Sequence, residues 1–143
     1  MPRVLRTLLP AIIISLLLAG CSGAGGGSSG SPLQQSVTMY NEMLRWGTPM
    51  GGLEYVAIEA RDDFVRAIQE GSARARVLEV EIQAVRMGPK GETAEVFVSF
   101  LWTAGDSITT VASVQRQTWK RTKKVWRIHE SSPVGDGQSI FTY

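Results

Sequence analysis

The sequence predicts an α+β domain in which N-terminal helices pack on a curved four-stranded antiparallel meander, a cone-like arrangement. Three observations predict it. Apolar residues recur at helical spacing from Leu33 to Ile68, they alternate at strand spacing from Leu78 to Ile128, and turn residues cut the second half into four runs. The chain has 143 residues, 43% hydrophobic and 20% charged, within the range of ordinary globular proteins. Gly20, Gly23, Gly25, Gly26, Gly27 and Gly30 crowd one short stretch. Beyond it roughly 110 residues remain, enough for one domain with one core.

The first residues read as an address. Arg3 and Arg6 form a positive start, and residues 8–19 are apolar except for Pro10 and Ser15. About twelve residues are too few to span a bilayer, which needs about twenty in a helix, so residues 1–20 read as a secretory signal peptide. The segment ends Leu18-Ala19-Gly20-Cys21, which closely resembles the lipobox of bacterial lipoproteins. That resemblance implies cleavage before Cys21 and attachment of lipid to its thiol, with acyl groups such as palmitate. Two or three acyl chains anchor firmly where one is marginal. Ser22, rather than Asp, follows the cysteine, which resembles the outer-membrane destination in Gram-negative lipoproteins. Residues 21–32 then form the lipidated cysteine and a Gly/Ser tether. Its eleven residues after Cys21 have an r.m.s. reach of roughly 18 Å.

Residues 33–132 form the expected domain. Leu33, Val37, Tyr40 and Leu44 make one amphipathic helix ending near Gly47. A second helical stretch runs from Leu53 through Phe64 and Ile68 to Gly71, with a break expected near Glu59-Ala60. Leu78, Val80, Ile82 and Ala84 then alternate with Glu79, Glu81 and Gln83. Residues 93–103, 107–120 and 124–130 are the remaining strands. The turns are a five-residue loop at residues 88–92, then Gly105-Asp106, then Thr122-Lys123. These turns set Val80 beside Phe100, Ile82 beside Val98, Phe100 beside Val111 and Trp119 opposite Trp126. All three registers put the large apolar residues on one face, an agreement that a one-residue slip would destroy.

The order of elements, with Leu44-Arg45-Trp46-Gly47 closing the first helix and Gln117-Thr118-Trp119 and Val125-Trp126-Arg127-Ile128 in the last strands, resembles the nuclear transport factor two-like superfamily. The resemblance spans residues 36–130 and implies a cone with helices packed into a curved sheet. The superfamily includes isomerases, dehydratases, carriers and assembly modules, so the fold alone decides no chemistry.

Composition excludes several classes. Arg3 and Arg6 supply the whole net charge of +2, leaving thirteen basic and thirteen acidic residues after Cys21. A neutral exported domain is no nucleic-acid binder. One cysteine and one histidine exclude a disulfide framework and most metal or nucleophilic constellations, so neither metal nor cofactor is expected. His129 reads as a solvated strand residue near Arg116. Asp62-Asp63 reads as a helix first turn, with Asp62 pairing to Arg66. The run from Arg116 to Arg127 holds six basic residues and no acidic one. It reads as an edge guarded against aggregation, or as a contact for anionic lipid heads or an acidic partner.

Two surfaces remain. On the concave face Ser113, Gln115, Gln117 and Glu130 are expected inward among Trp102, Trp119 and Trp126, forming either a small-molecule or peptide pocket or simply a wet open end. On the outer face Phe97, Leu101, Ile108, Val114 and Val125 form an apolar stripe, rimmed by Glu95, Arg116 and Arg127. The stripe suits a homodimer or an envelope protein partner, unless the tail at residues 133–143 covers it with Ile140 and Phe141. The leading functional expectation is a lipid-anchored cell-envelope domain, held to the membrane and facing the periplasm, that acts by binding or assembly. An enzyme resembling the cone-fold isomerases or dehydratases, with Glu130 as acid or base and Gln115 or Gln117 as polariser, is the alternative. An assembly factor docking by its outer face is another.

Overall fold

The computed structural model describes residues 30–143; the signal peptide, the lipobox with Cys21 and nearly all of the tether lie outside the described residues. Helix α1 spans Pro32–Arg45. Ser31 caps it, its hydroxyl accepting the Gln34 N–H at 3.2 Å, and Pro32 occupies the first turn, where a missing N–H costs nothing. Leu33, Val37, Tyr40 and Leu44 are buried as their spacing requires, and Asn41 is buried with them. Gly47, at φ +72°, takes the left-handed conformation that ends the turn.

The second helical stretch is broken where expected, and into more pieces. A 3₁₀ segment, Pro49–Tyr55, precedes an extended Val56-Ala57 pair; a second 3₁₀ turn, Ile58–Ala60, leads into α2, Arg61–Arg74. Helix α2 does not stop at Gly71. That glycine instead gives room to a ring: a Cβ built there would lie 2.6 Å from Phe141.

The sheet has the order β1-β2-β3-β4, every pair antiparallel, from Ala75–Met87, Thr93–Ala104, Thr110–Thr122 and Val125–Pro133. The five-residue loop between β1 and β2 is as expected, and Val80 faces Phe100 and Ile82 faces Val98. Two bulges in β1 change the rest of its pattern. Leu78 is extra in the first, so Val77 takes the inner place opposite Trp102. The second turns Ala84 to the outer face, opposite Phe97.

The other two registers differ from expectation by two residues. The β2–β3 loop is longer than Gly105-Asp106, so Trp102 pairs with Val111 and Phe100 with Ser113. The β3–β4 turn is Lys123-Lys124, giving Trp119 opposite Ile128 and Arg121 opposite Trp126. The expected Trp119–Trp126 pair is therefore absent. A shift of two keeps every residue on its face, and both indoles are still buried. Lys123 and Lys124 have φ of +51° and +71°. Left-handed backbone costs a residue with a Cβ about 1–2 kcal/mol, and such a turn ordinarily carries Asn-Gly.

A third bulge has the largest effect on the site. His129 is the extra residue between Ile128, which faces Trp119, and Glu130, which faces Thr118. Beyond it the strand inverts, so Glu130 lies exposed on the outer face and Ser131 points inward. The chain then turns at Gly135, φ +81°, and re-enters the cone. Ile140 and Phe141 join the core, and Tyr143 exchanges both backbone hydrogen bonds with Ser131 at 2.7 and 2.8 Å. With Val56 bridged to Ile128, this covers part of the free edge of β4.

Candidate functional site

The concave face brings together six of the seven residues expected there. Trp102, Ser113, Gln115, Gln117, Trp119 and Trp126 are all buried. Glu130 is the correction: the bulge at His129 puts it outside. What these residues build is a closed interior. The Trp102 indole N–H donates to Ser113 Oγ at 3.2 Å. Gln117 and Asn41 exchange amide hydrogen bonds, Nε2 to Oδ1 at 2.7 Å and Nδ2 to Oε1 at 3.2 Å. The Trp119 indole N–H also donates to Gln117 Oε1 at 3.2 Å, while Asn41 Nδ2 donates to the Val37 carbonyl at 2.8 Å. Gln115 accepts from Ser131 Oγ at 2.8 Å and donates to Ser139 Oγ at 3.1 Å and to the Ile140 carbonyl. Among the described residues no buried side-chain polar atom lacks a partner. A satisfied amide network of this kind orders a core, whereas removing one member strands the rest.

The tail completes the closure. Tyr143 and Tyr40 share a hydroxyl hydrogen bond of 2.8 Å, and the Tyr143 ring meets Phe64 edge-on at 5.4 Å. Burial pushes both tyrosine pKa values up; their mutual hydrogen bond opposes this at Tyr40 and adds to it at Tyr143. Neither phenol ionises in the neutral range. A cleft of about 400 Å³ remains between α2 and the tail, lined by Glu70, Arg74, Trp102 and Gln138 among others. Sequence reasoning missed Asn41, Ser131, Tyr40 and Tyr143 as members of this network. Asn41 carries a signal in the sequence: it lies four residues after Val37 on the buried stripe, where an unpaired amide would be costly.

The remaining candidates are scattered. His129 lies against Glu59, Nδ1 to Oε1 3.0 Å, and not near Arg116. Burial, then the charge of Lys120, lower its pKa; the exposed Glu59 pulls it up without prevailing. Asp62 and Asp63 sit in the first turn of α2, and it is Asp63 that pairs with Arg66, at 3.1 Å. Among the described residues no three metal-binding side chains converge.

On the outer face Phe97, Leu101 and Val114 are half-buried, with the Arg86 guanidinium 4.7 Å over the Phe97 ring. Val125 is exposed beside the last turn. Ile108 is 99% exposed but lies in the β2–β3 loop, so it does not belong to the sheet stripe. Glu95 and Arg116 approach to 4.0 Å on this face. The tail does not cover the stripe with Ile140 and Phe141, because both enter the cone.

No protein-family model matches the chain, and no curated protein matches it. Among solved structures, the chain is similar to the crystal structure of the intermembrane space region of the chloroplast protein ARC6. The TM-score is 0.53 at 14% identity, covering 73% of this chain and 95% of that one. At that identity the likeness is one of fold.

Proposed function

We propose that this is a lipid-anchored cell-envelope protein, held by Cys21, whose domain resembles the nuclear transport factor two-like cone and works by binding or assembly rather than by catalysis. The filled cone carries this reading. A substrate entering the concave face would have to displace the chain's own tail, and it would meet amides, hydroxyls and high-pKa phenols. General acid–base catalysis at neutral pH calls for a group that titrates near that pH, and Glu130 stands outside. A domain of similar fold forms the intermembrane space region of the chloroplast protein ARC6, which agrees with an envelope setting. Phe97, Leu101 and Val114 on the outer face are the docking surface, for a second copy or another envelope protein, with Glu95 and Arg116 orienting the contact.

Cys21→Ser is expected to abolish incorporation of labelled fatty acid and to leave precursor with its leader attached. Wild-type protein that is exported yet takes up no label would overturn the anchor. Leu101→Glu, followed by sedimentation of the purified protein and by circular dichroism, is expected to dissociate a micromolar self-association while leaving the fold intact. A wild-type domain that sediments as a monomer at high concentration would remove the homodimer and leave a different partner for that face.

A further inference from the structure

All four lysines of the chain lie at one end of the sheet. Lys90 is in the β1–β2 loop, Lys120 stands on the outer face of β3 opposite Thr93, and Lys123 and Lys124 form the β3–β4 turn. In an antiparallel meander these two connections share an end, and they touch: the Arg121 N–H donates to the Glu92 carbonyl at 2.7 Å. The four lysines and Arg121 are exposed, and no lysine forms an ion pair among the described residues. The other end of the sheet, with Asp106 and Asp136, has none of them.

Helix α1 fixes what this end faces. Arg45, at its C-terminus, donates to the Leu78 carbonyl near the start of β1 at 3.2 Å. Ser31 and Leu33, at its N-terminus, share a groove with Val85 near the end of β1. The chain therefore enters the domain at the lysine end, ten residues after Cys21.

The turn carries a second, independent observation. Lys123 and Lys124 both hold left-handed backbone, where Asn-Gly would be more stable. Two lysines stand at a position whose backbone favours neither, so the conformation of the turn does not account for their presence.

We infer that Lys90, Lys120, Arg121, Lys123 and Lys124 form a contact surface for anionic lipid headgroups, which docks the domain with this end against the membrane that anchors it. This rests on the lipid anchor proposed above. A flexible tether alone would let the domain rotate, whereas basic residues within a Debye length of an anionic surface, about 8 Å at physiological salt, hold one orientation.

The full chain, with its lipid, is reconstituted into phosphatidylcholine vesicles and into phosphatidylglycerol-rich vesicles, and the labelling rate of each lysine by an amine-reactive reagent is read by mass spectrometry. The lysines are expected to react roughly five-fold more slowly on the phosphatidylglycerol-rich vesicles, and high salt is expected to abolish the difference. Equal rates on protein retained by both vesicles would overturn the surface and spare the anchor. Protein absent from phosphatidylcholine vesicles but retained, with protected lysines, on the anionic ones would overturn the anchor and support the surface. Absence from both would overturn both. Lys123→Asn with Lys124→Gly separates this role from a structural one. The double variant is expected to melt roughly 4–8 °C higher while Lys90 and Lys120 lose their protection. Undiminished protection in that variant would overturn the role of the turn.

Discussion

Deleting residues 140–143 is expected to destabilise the domain by about 5 kcal/mol or more, enough to unfold much of the population at ambient temperature. Ile140 and Phe141 are core residues, only 5% and 4% exposed. Truncating side chains of their size in a core costs about 2–5 kcal/mol each. Gln115 also loses its bond to the Ile140 carbonyl, Tyr40 loses its hydroxyl partner, and Ser131 loses two backbone bonds. A domain of this size holds about 5–15 kcal/mol in total. Urea unfolding of the deleted and intact chains measures the difference, and an unchanged midpoint would mean that the tail does not occupy the cone. Gly71→Ala reports on the same contact. In the intact chain the new methyl group would meet the Phe141 ring and should destabilise; without the tail it should stabilise by about 1 kcal/mol, the ordinary gain of alanine over glycine in a helix.

Trp119→Ala is expected to cost about 3–5 kcal/mol. The indole is fully buried, meets the Tyr40 ring edge-on at 5.7 Å and donates to Gln117 Oε1. Trp126→Ala should cost less, because Trp126 lies near the turn with the Arg121 guanidinium 5.8 Å over its ring. Thermal unfolding of the two variants checks the order, and equal, small shifts would discard the assignment of Trp119 to the centre of the core.

The faces of the strands were legible in the sequence because side-chain direction has a period of two. Turns at Gly105-Asp106 and Thr122-Lys123 would set registers two residues from the observed ones, and either register leaves Phe100, Trp102, Trp119 and Ile128 facing inward. The loop at residues 88–92 is legible because its glycines mark the turn directly: Gly91 has φ +66°. Bulges leave no comparable mark. The one at His129 inverted Glu130 and Ser131, and with them the only carboxylate expected in the concave face. The tail was hidden for a different reason. Ile140, Phe141 and Tyr143 announce burial, but nothing in their spacing says which surface receives them. The answer depends on the shape left open by Gly71, Phe64 and Tyr40, and that exists only after the sheet has curved.

Because Tyr143 comes after all four strands in the chain, the interior of this domain cannot be sealed until residues 139–143 have followed β4 out of the ribosome. Until then Gln115, Ser131 and Tyr40 lack the partners that Ser139 and Tyr143 provide in the folded domain. Closure is thus tied to the synthesis of residues 139–143, and a chain that stops before them is a poor match for its own core. A segment or affinity tag joined directly after Tyr143 would have to leave from beside Ser131, a placement that an attachment ahead of α1 avoids.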